Sequence, residues 1–81
     1  MLNQYELLAF AVKGVNADIE KLEKSVKHGK QLLKDYEETG TSKTSKTPYE
    51  VQQLIQMKKS EIEDLQEIEK ELKWQLSELE A

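Results

Sequence analysis

The sequence predicts an all-α protein: an antiparallel two-helix hairpin of the coiled-coil type that dimerises into a four-helix bundle. Three observations support this fold class. Each half of the chain carries a heptad repeat of apolar residues, a polar segment separates the halves, and the composition is highly charged. Charged residues make up 35% of the chain and hydrophobic residues 37%, a balance closer to coiled coils than to compact globular domains. With 81 residues, the chain is expected to form one small domain, 1–81.

The first helix is predicted over residues 3–39. Asn3 and Glu6 have the spacing of a capping box at its start. Apolar residues then recur at alternating intervals of three and four, which is typical of a helix that buries one narrow seam against another helix. The pair His28-Gly29 could end the helix with a left-handed cap, but the repeat continues past it, so we prefer one continuous helix. The predicted seam consists of Tyr5, Leu8, Val12, Val15, Ile19, Leu22, Val26, Gly29, Leu33 and Tyr36.

The polar segment 40–47 interrupts the repeat and contains Thr-Ser-Lys twice. We interpret it as a solvated connector rather than as a modification site or a nucleic-acid contact. Thr47, Pro48 and Glu50 then combine an N-cap, a proline at the first helical position and a glutamate three residues after the cap. A second helix is therefore predicted over 48–80. Its seam consists of Val51, Ile55, Lys58, Ile62, Leu65, Glu69, Leu72, Leu76 and Leu79, with Lys58 and Glu69 as polar interruptions.

A short polar connection between two long helices makes them antiparallel neighbours. The register that we predict places Gly29 opposite Ile55 and brings Glu23 near Lys59, while a shift of half a heptad remains an alternative. The other pairs in this register are Leu33 with Val51, Val26 with Lys58, Leu22 with Ile62, Ile19 with Leu65, Val15 with Glu69, Val12 with Leu72, Leu8 with Leu76 and Tyr5 with Leu79.

The residues that flank the seam differ on its two sides. Two helices that meet along one seam enclose no interior, and small proteins without disulfides usually need oligomerisation. We call one flank the g face; it consists of Ala11, Leu32, Leu54 and Ile68 with the polar Asp18, Ser25, Glu61 and Gln75. The other flank, the e face, is apolar only at Leu2 and Ala9 and otherwise consists of Asn16, Glu23, Lys30, Gln52, Lys59, Gln66 and Lys73. A seam widened on one side is typical of bundle helices, so the g face is the predicted contact for a second hairpin.

The end of the hairpin away from the connector is unusually apolar. Phe10 and Trp74 fall on the outermost heptad position at the same level of the two helices, and Leu7 and Met57 also point outward. Exposed aromatic residues of this kind either complete the core of a homodimer or form a site for a different protein partner. The predicted partner or oligomer interface is therefore Leu7, Phe10, Ala11, Leu32, Leu54, Ile68 and Trp74.

The residues of an active site are missing from the sequence. One histidine and no cysteine exclude nucleophile–histidine triads that use cysteine and most zinc sites. His28 is interpreted as a solvated surface residue and the acidic residues 61–71 as a solvated helix face, so we expect no catalytic residue, no metal and no cofactor. All twelve basic residues are lysine, which makes nucleic acid an improbable partner because arginine is the usual reader of guanine and phosphate.

The lysines between residues 21 and 34 suit an acidic partner, such as the second helix of a neighbouring subunit, whose half of the chain is the more acidic. No segment has the length or charge pattern of a membrane span or a secretory signal, so a cytoplasmic location is expected and a membrane role is not.

The function predicted first is that of a non-enzymatic interaction protein, a small regulator, adaptor or inhibitor that acts through helix surfaces. The alternative is a structural or assembly protein, a scaffold or chaperone of a phage or other mobile element, with which the small size and arginine-free composition are compatible. A nucleic-acid accessory protein is the lesser alternative.

Overall fold

The computed structural model describes residues 3–41 and 44–80 and shows an all-helical hairpin. Helix α1 spans Gln4–Thr39 and helix α2 spans Pro48–Glu80, where the sequence predicts helices over 3–39 and 48–80. The two helices pack against each other along their length in a rod of 56 × 20 × 15 Å. Neither helix contains an apolar stretch long enough to cross a membrane in the described part of the chain. Ser42 and Lys43 of the predicted connector lie outside the described residues.

Side-chain caps define where the helices begin. The Asn3 side-chain oxygen accepts a hydrogen bond from the Glu6 amide at 2.8 Å, and the Thr47 hydroxyl oxygen accepts one from the Glu50 amide at 3.2 Å. The Thr47 hydroxyl also lies 3.2 Å from the Glu50 carboxylate, to which it donates. These bonds satisfy amide groups that have no partner inside the helix. Both predicted N-caps are therefore present.

Helix α1 ends at Gly40, which adopts a left-handed conformation with φ of 69°. Its amide donates to the Tyr36 carbonyl at 2.7 Å, the single hydrogen bond of a left-handed helix cap. A side chain at this φ would be strained, which explains the glycine here. The alternative cap at His28-Gly29 is not used, because α1 continues through both residues.

The two helices approach each other closely at Gly29. A Cβ atom built on Gly29 would lie 2.9 Å from Ile55 Cγ1 and 3.1 Å from Ile55 Cδ1. Gly29 is therefore opposite Ile55, the pair given by the predicted register, and the Tyr5 hydroxyl meets Glu80 at the far end of the hairpin. The half-heptad shift is not the register of the structure. Absence of a side chain at Gly29 lets the β-branched Ile55 pack directly on the backbone of α1.

The buried core is small. It lies nearer to the connector than to the opposite end of the hairpin, which we call the open end. Among the described residues the buried hydrophobic side chains are Ile19, Val26, Val51 and Ile55, and Leu33 and Ile62 pack against the cluster that the last three of these form. The predicted seam residues at the two ends of the hairpin are not buried, because no further layer of side chains covers them. Tyr5, Tyr36 and Leu79 are exposed.

Polar residues on and beside the seam stay at its solvent-facing edge. Glu69 interrupts the apolar seam, and its carboxylate lies 3.6 Å from Lys73 Nζ, one helical turn further on. The predicted pair of Glu23 and Lys59 forms no ion pair, although the structure describes both residues and both are exposed. Two long side chains in water gain little from pairing, so the lack of an ion pair does not contradict the register that places the two residues near each other.

The two helical glycines give a direct test of the packing at Gly29. Gly29→Ala should destabilise the protein by about 1–3 kcal/mol, since the added methyl group overlaps Ile55. Gly14→Ala is the matched control: nothing lies within 4 Å of its Cβ position, so the better helix former should stabilise by about 0.5–1 kcal/mol. Urea unfolding followed by circular dichroism measures both. Equal stabilisation by the two substitutions would contradict the close approach.

Candidate interaction surfaces

The g face is the flank on which the two helices form a groove. Near the connector, a cavity of about 220 Å³ opens between the helices and is lined by Ser25, Leu32 and Leu54 of the g face. Gly29 and Ile55 contribute to its lining from the seam. Leu32 and Leu54 are half-buried, so each has apolar surface still in contact with water. Thr44 and Lys46 of the connector and Lys58 of α2 also line the groove, so it is an apolar surface with polar and charged borders.

The e face has a different character. Its residues Gln52, Lys59, Gln66 and Lys73 on α2 are all exposed. On the g face of the same helix Leu54 and Gln75 are half-buried, and Glu61 and Ile68 are exposed. The helices therefore turn their g positions towards each other more than their e positions. This asymmetry makes the g face the wider apolar flank in the structure as well as in the sequence.

The predicted interface residues do not form one surface. Ala11, Leu32, Leu54 and Ile68 belong to the g face, Ile68 with 48% of its surface exposed. Leu7 is 55% exposed and lies one helical turn before Ala11, beside the same face.

Phe10 and Trp74 lie on opposite outer sides of the hairpin. Phe10 lines a shallow depression with Tyr5, Ala9 and Lys13, all from α1. Trp74 lines another with Glu67, Lys70 and Glu71, all from α2. Both residues occupy the heptad position furthest from the seam, which points away from the partner helix. The two aromatic side chains share a level but make two separate sites rather than one.

Other exposed apolar residues lie along the rod. Tyr49, which is not among the predicted interface residues, is 69% exposed at the start of α2, and Met57 is 59% exposed. Their position outside the repeat of seam residues was readable from the sequence, but a single exposed side chain is common on protein surfaces. The basic stretch of α1 is interleaved with acids: Lys24 and Lys27 line one depression together with Glu20 and Glu23.

No arrangement of side chains suited to holding a metal ion is found within residues 3–41 and 44–80. His28, the one histidine, is exposed at the rim of the g-face groove. The groove offers apolar contact from Leu32 and Leu54, bordered by charge from Lys46 and Lys58.

A hydrogen bond joins the two helices at the open end of the hairpin. The Tyr5 hydroxyl donates to Glu80 Oε1 at 3.0 Å, and this bond with the nearby carboxylate charge raises the pKa of Tyr5 above its ordinary value of 10.0. The bond requires the protonated phenol, so its contribution is present below that ordinary pKa and is lost as the pH rises through the raised pKa.

Removal of the Glu80 carboxylate tests this contact. In a Tyr36→Phe/Tyr49→Phe background, which leaves Tyr5 as the tyrosine that titrates, Glu80→Gln should lower the pKa measured by ultraviolet absorbance towards 10. Glu78→Gln is the matched control and should leave that pKa unchanged. A pKa insensitive to Glu80→Gln would show that the bond does not form in solution.

No protein-family model, curated protein or solved structure matches the chain.

Proposed function

We propose that this protein is a non-enzymatic protein–protein interaction module, a small regulator, adaptor or inhibitor that acts through helix surfaces. The observation that carries the proposal is the imbalance of its apolar residues. Among the described residues, four hydrophobic side chains are buried, whereas nine large ones are exposed. A hairpin that exposes more large apolar side chains than it buries is completed by contact with other helices.

Self-association through the g face is the first part of the proposal. The groove between Leu32 and Leu54 continues the apolar seam to one side, and a second hairpin placed on it makes a four-helix bundle in which these leucines become core residues. The polar e face remains in water. This arrangement gives a homodimer whose interior is formed by the seams and the g faces together.

Binding of a different protein at the outer aromatic residues is the second part. Phe10 and Trp74 face away from the seam and are 57% and 58% exposed, so a dimer built on the g face leaves both accessible. Aromatic side chains of this size contribute strongly to binding when a partner buries them. The dimer therefore offers Phe10 and Trp74 of each subunit to a protein partner.

An assembly role is the second candidate, favoured by the separation of these two aromatic sites. A subunit with one apolar site on each outer side can join neighbours on both sides, and such head-to-tail contacts give open assemblies. Growth beyond a dimer with increasing concentration distinguishes a scaffold of this kind from a discrete adaptor.

Paired substitutions on α2 test the g face. Leu54→Glu and Ile68→Glu should each raise the dimer dissociation constant tenfold or more, because burial of a leucine or isoleucine contributes about 1.5–3 kcal/mol. Gln52→Glu and Gln66→Glu introduce the same side chain two residues away on the e face and should leave the constant within about threefold. Sedimentation equilibrium measures association, and circular dichroism verifies helicity.

Two outcomes contradict the g-face dimer. One is a parent protein that remains monomeric up to high micromolar concentration. The other is equal weakening by the e-face and g-face variants, which would show that charge rather than the apolar face controls association.

The emission of Trp74 gives an independent prediction. Since the indole faces away from the proposed dimer contact, its fluorescence maximum should stay at the value of a water-exposed tryptophan through the monomer–dimer transition. The measurement uses the dilution series from sedimentation. A shift to shorter wavelength that follows association would place the outer aromatic residues in the self-association contact and refute the assignment of the g face.

A further inference from the structure

Two charged residues interrupt the apolar seam of α2, and they differ in how their charge is balanced. The Glu69 carboxylate lies 3.6 Å from Lys73 Nζ, so it has a partner on its own helix. Lys58 is half-buried and forms no ion pair with any residue in the described part of the chain. A charge held partly out of water without a partner costs free energy. The packing of the two helices therefore does not explain a lysine at this seam position.

Lys58 lines the groove on the g face, beside apolar side chains. Leu32 and Leu54 contribute to the lining from the two helices, and Ile55 contributes from the seam. The cavity measures about 220 Å³, which is less than the roughly 300–1,000 Å³ of pockets that hold drug-sized ligands. Its size and lining therefore suit one short aliphatic group.

The polar groups around this apolar surface are hydrogen-bond donors of positive or neutral charge. Lys58 of α2 and Lys46 of the connector are cationic, and His28 and Ser25 of α1 add N–H and O–H groups. None of the described lining residues is acidic. Glu61, one helical turn beyond Lys58, belongs to the g face but does not line the cavity. The border of the groove is therefore complementary to an anion.

We propose that this groove is a binding site for a small amphipathic carboxylate of the medium-chain fatty-acid class. The aliphatic chain of the ligand contacts Leu32 and Leu54, and its carboxylate accepts a charge-assisted hydrogen bond from Lys58. Apolar pockets between helices that carry a few polar groups are typical small-molecule sites. The ligand also supplies the opposite charge that Lys58 lacks among the described residues.

The site lies within a single hairpin, so this inference does not rest on the proposed self-association. Both use the g face, and a ligand between Leu32 and Leu54 occupies surface that a second hairpin would cover. Binding is therefore measured on the full-length protein at a concentration at which sedimentation shows a monomer. The same titration on Ile68→Glu, a substitution that weakens the proposed dimer and lies outside the groove, separates failure of this inference from failure of the dimer.

His28 gives a direct readout of the groove. It is the one histidine of the chain, so its imidazole proton resonances report on the site without a label. At constant pH, titration with octanoate should shift these resonances to saturation with a dissociation constant of roughly 1 mM or tighter. Acetate, which lacks the chain, and octylammonium, which carries the opposite charge on the same chain, should each bind at least about tenfold more weakly. Absence of a saturable shift with octanoate, or equal affinity for octylammonium, would overturn the proposal.

A matched pair of lysine variants tests the role of Lys58. Lys58→Gln should weaken octanoate binding about tenfold, because the carboxylate loses a charge-assisted hydrogen bond. Lys59→Gln makes the same change at the next residue, which is exposed on the e face, and should leave the dissociation constant within about twofold of the parent. Circular dichroism verifies that both variants are helical. Equal weakening by the two variants would indicate attraction to the overall charge of the protein and overturn the assignment of the site.

Discussion

The close approach of α1 and α2 at Gly29 determines the rest of this structure. Ile55 packs against the backbone of α1 where a side chain would otherwise keep the helices apart, and Val26 and Val51 complete the cluster around it. This contact fixes the register, and the register fixes which residues flank the seam together. Leu32 and Leu54 line one groove because Gly29 and Ile55 are opposite each other. A residue with no side chain thus defines the surface on which our proposal is based.

The hairpin was predictable because its signals are local or periodic. Helix starts are specified by Asn3 and by Thr47, and a helix end by Gly40, each through hydrogen bonds to the nearby backbone. The heptad repeat requires only that apolar side chains recur on one side of a helix. The preferred register agrees with the structure, in which Gly29 is opposite Ile55, but the repeat alone left a half-heptad shift open.

Other features depend on side-chain directions and conformations, which heptad positions do not specify. Heptad positions placed Phe10 and Trp74 at one level, but their use as a single site required the two outward directions to converge, and the structure shows that they diverge. The hydrogen bond from Tyr5 to Glu80 depends on the side-chain conformations of two exposed residues, which spacing does not specify. Glu23 and Lys59 occupy heptad positions suited to an ion pair, yet their side chains form none.

The position of the buried core near the connector has a consequence for how the hairpin forms and opens. Gly29 and Ile55 are joined by a short stretch of chain, whereas Tyr5 and Glu80 are separated by 75 positions, and the entropy lost on closing a loop increases with its length. The largest gain in packing is therefore obtained where chain closure is least costly, so we expect folding to proceed from the connector outwards. Unfolding should follow the reverse order, with backbone amides exchanging fastest at the open end. The outer aromatic residues Phe10 and Trp74 would then lie on the most easily opened part of the rod, where a bound protein would also slow local opening.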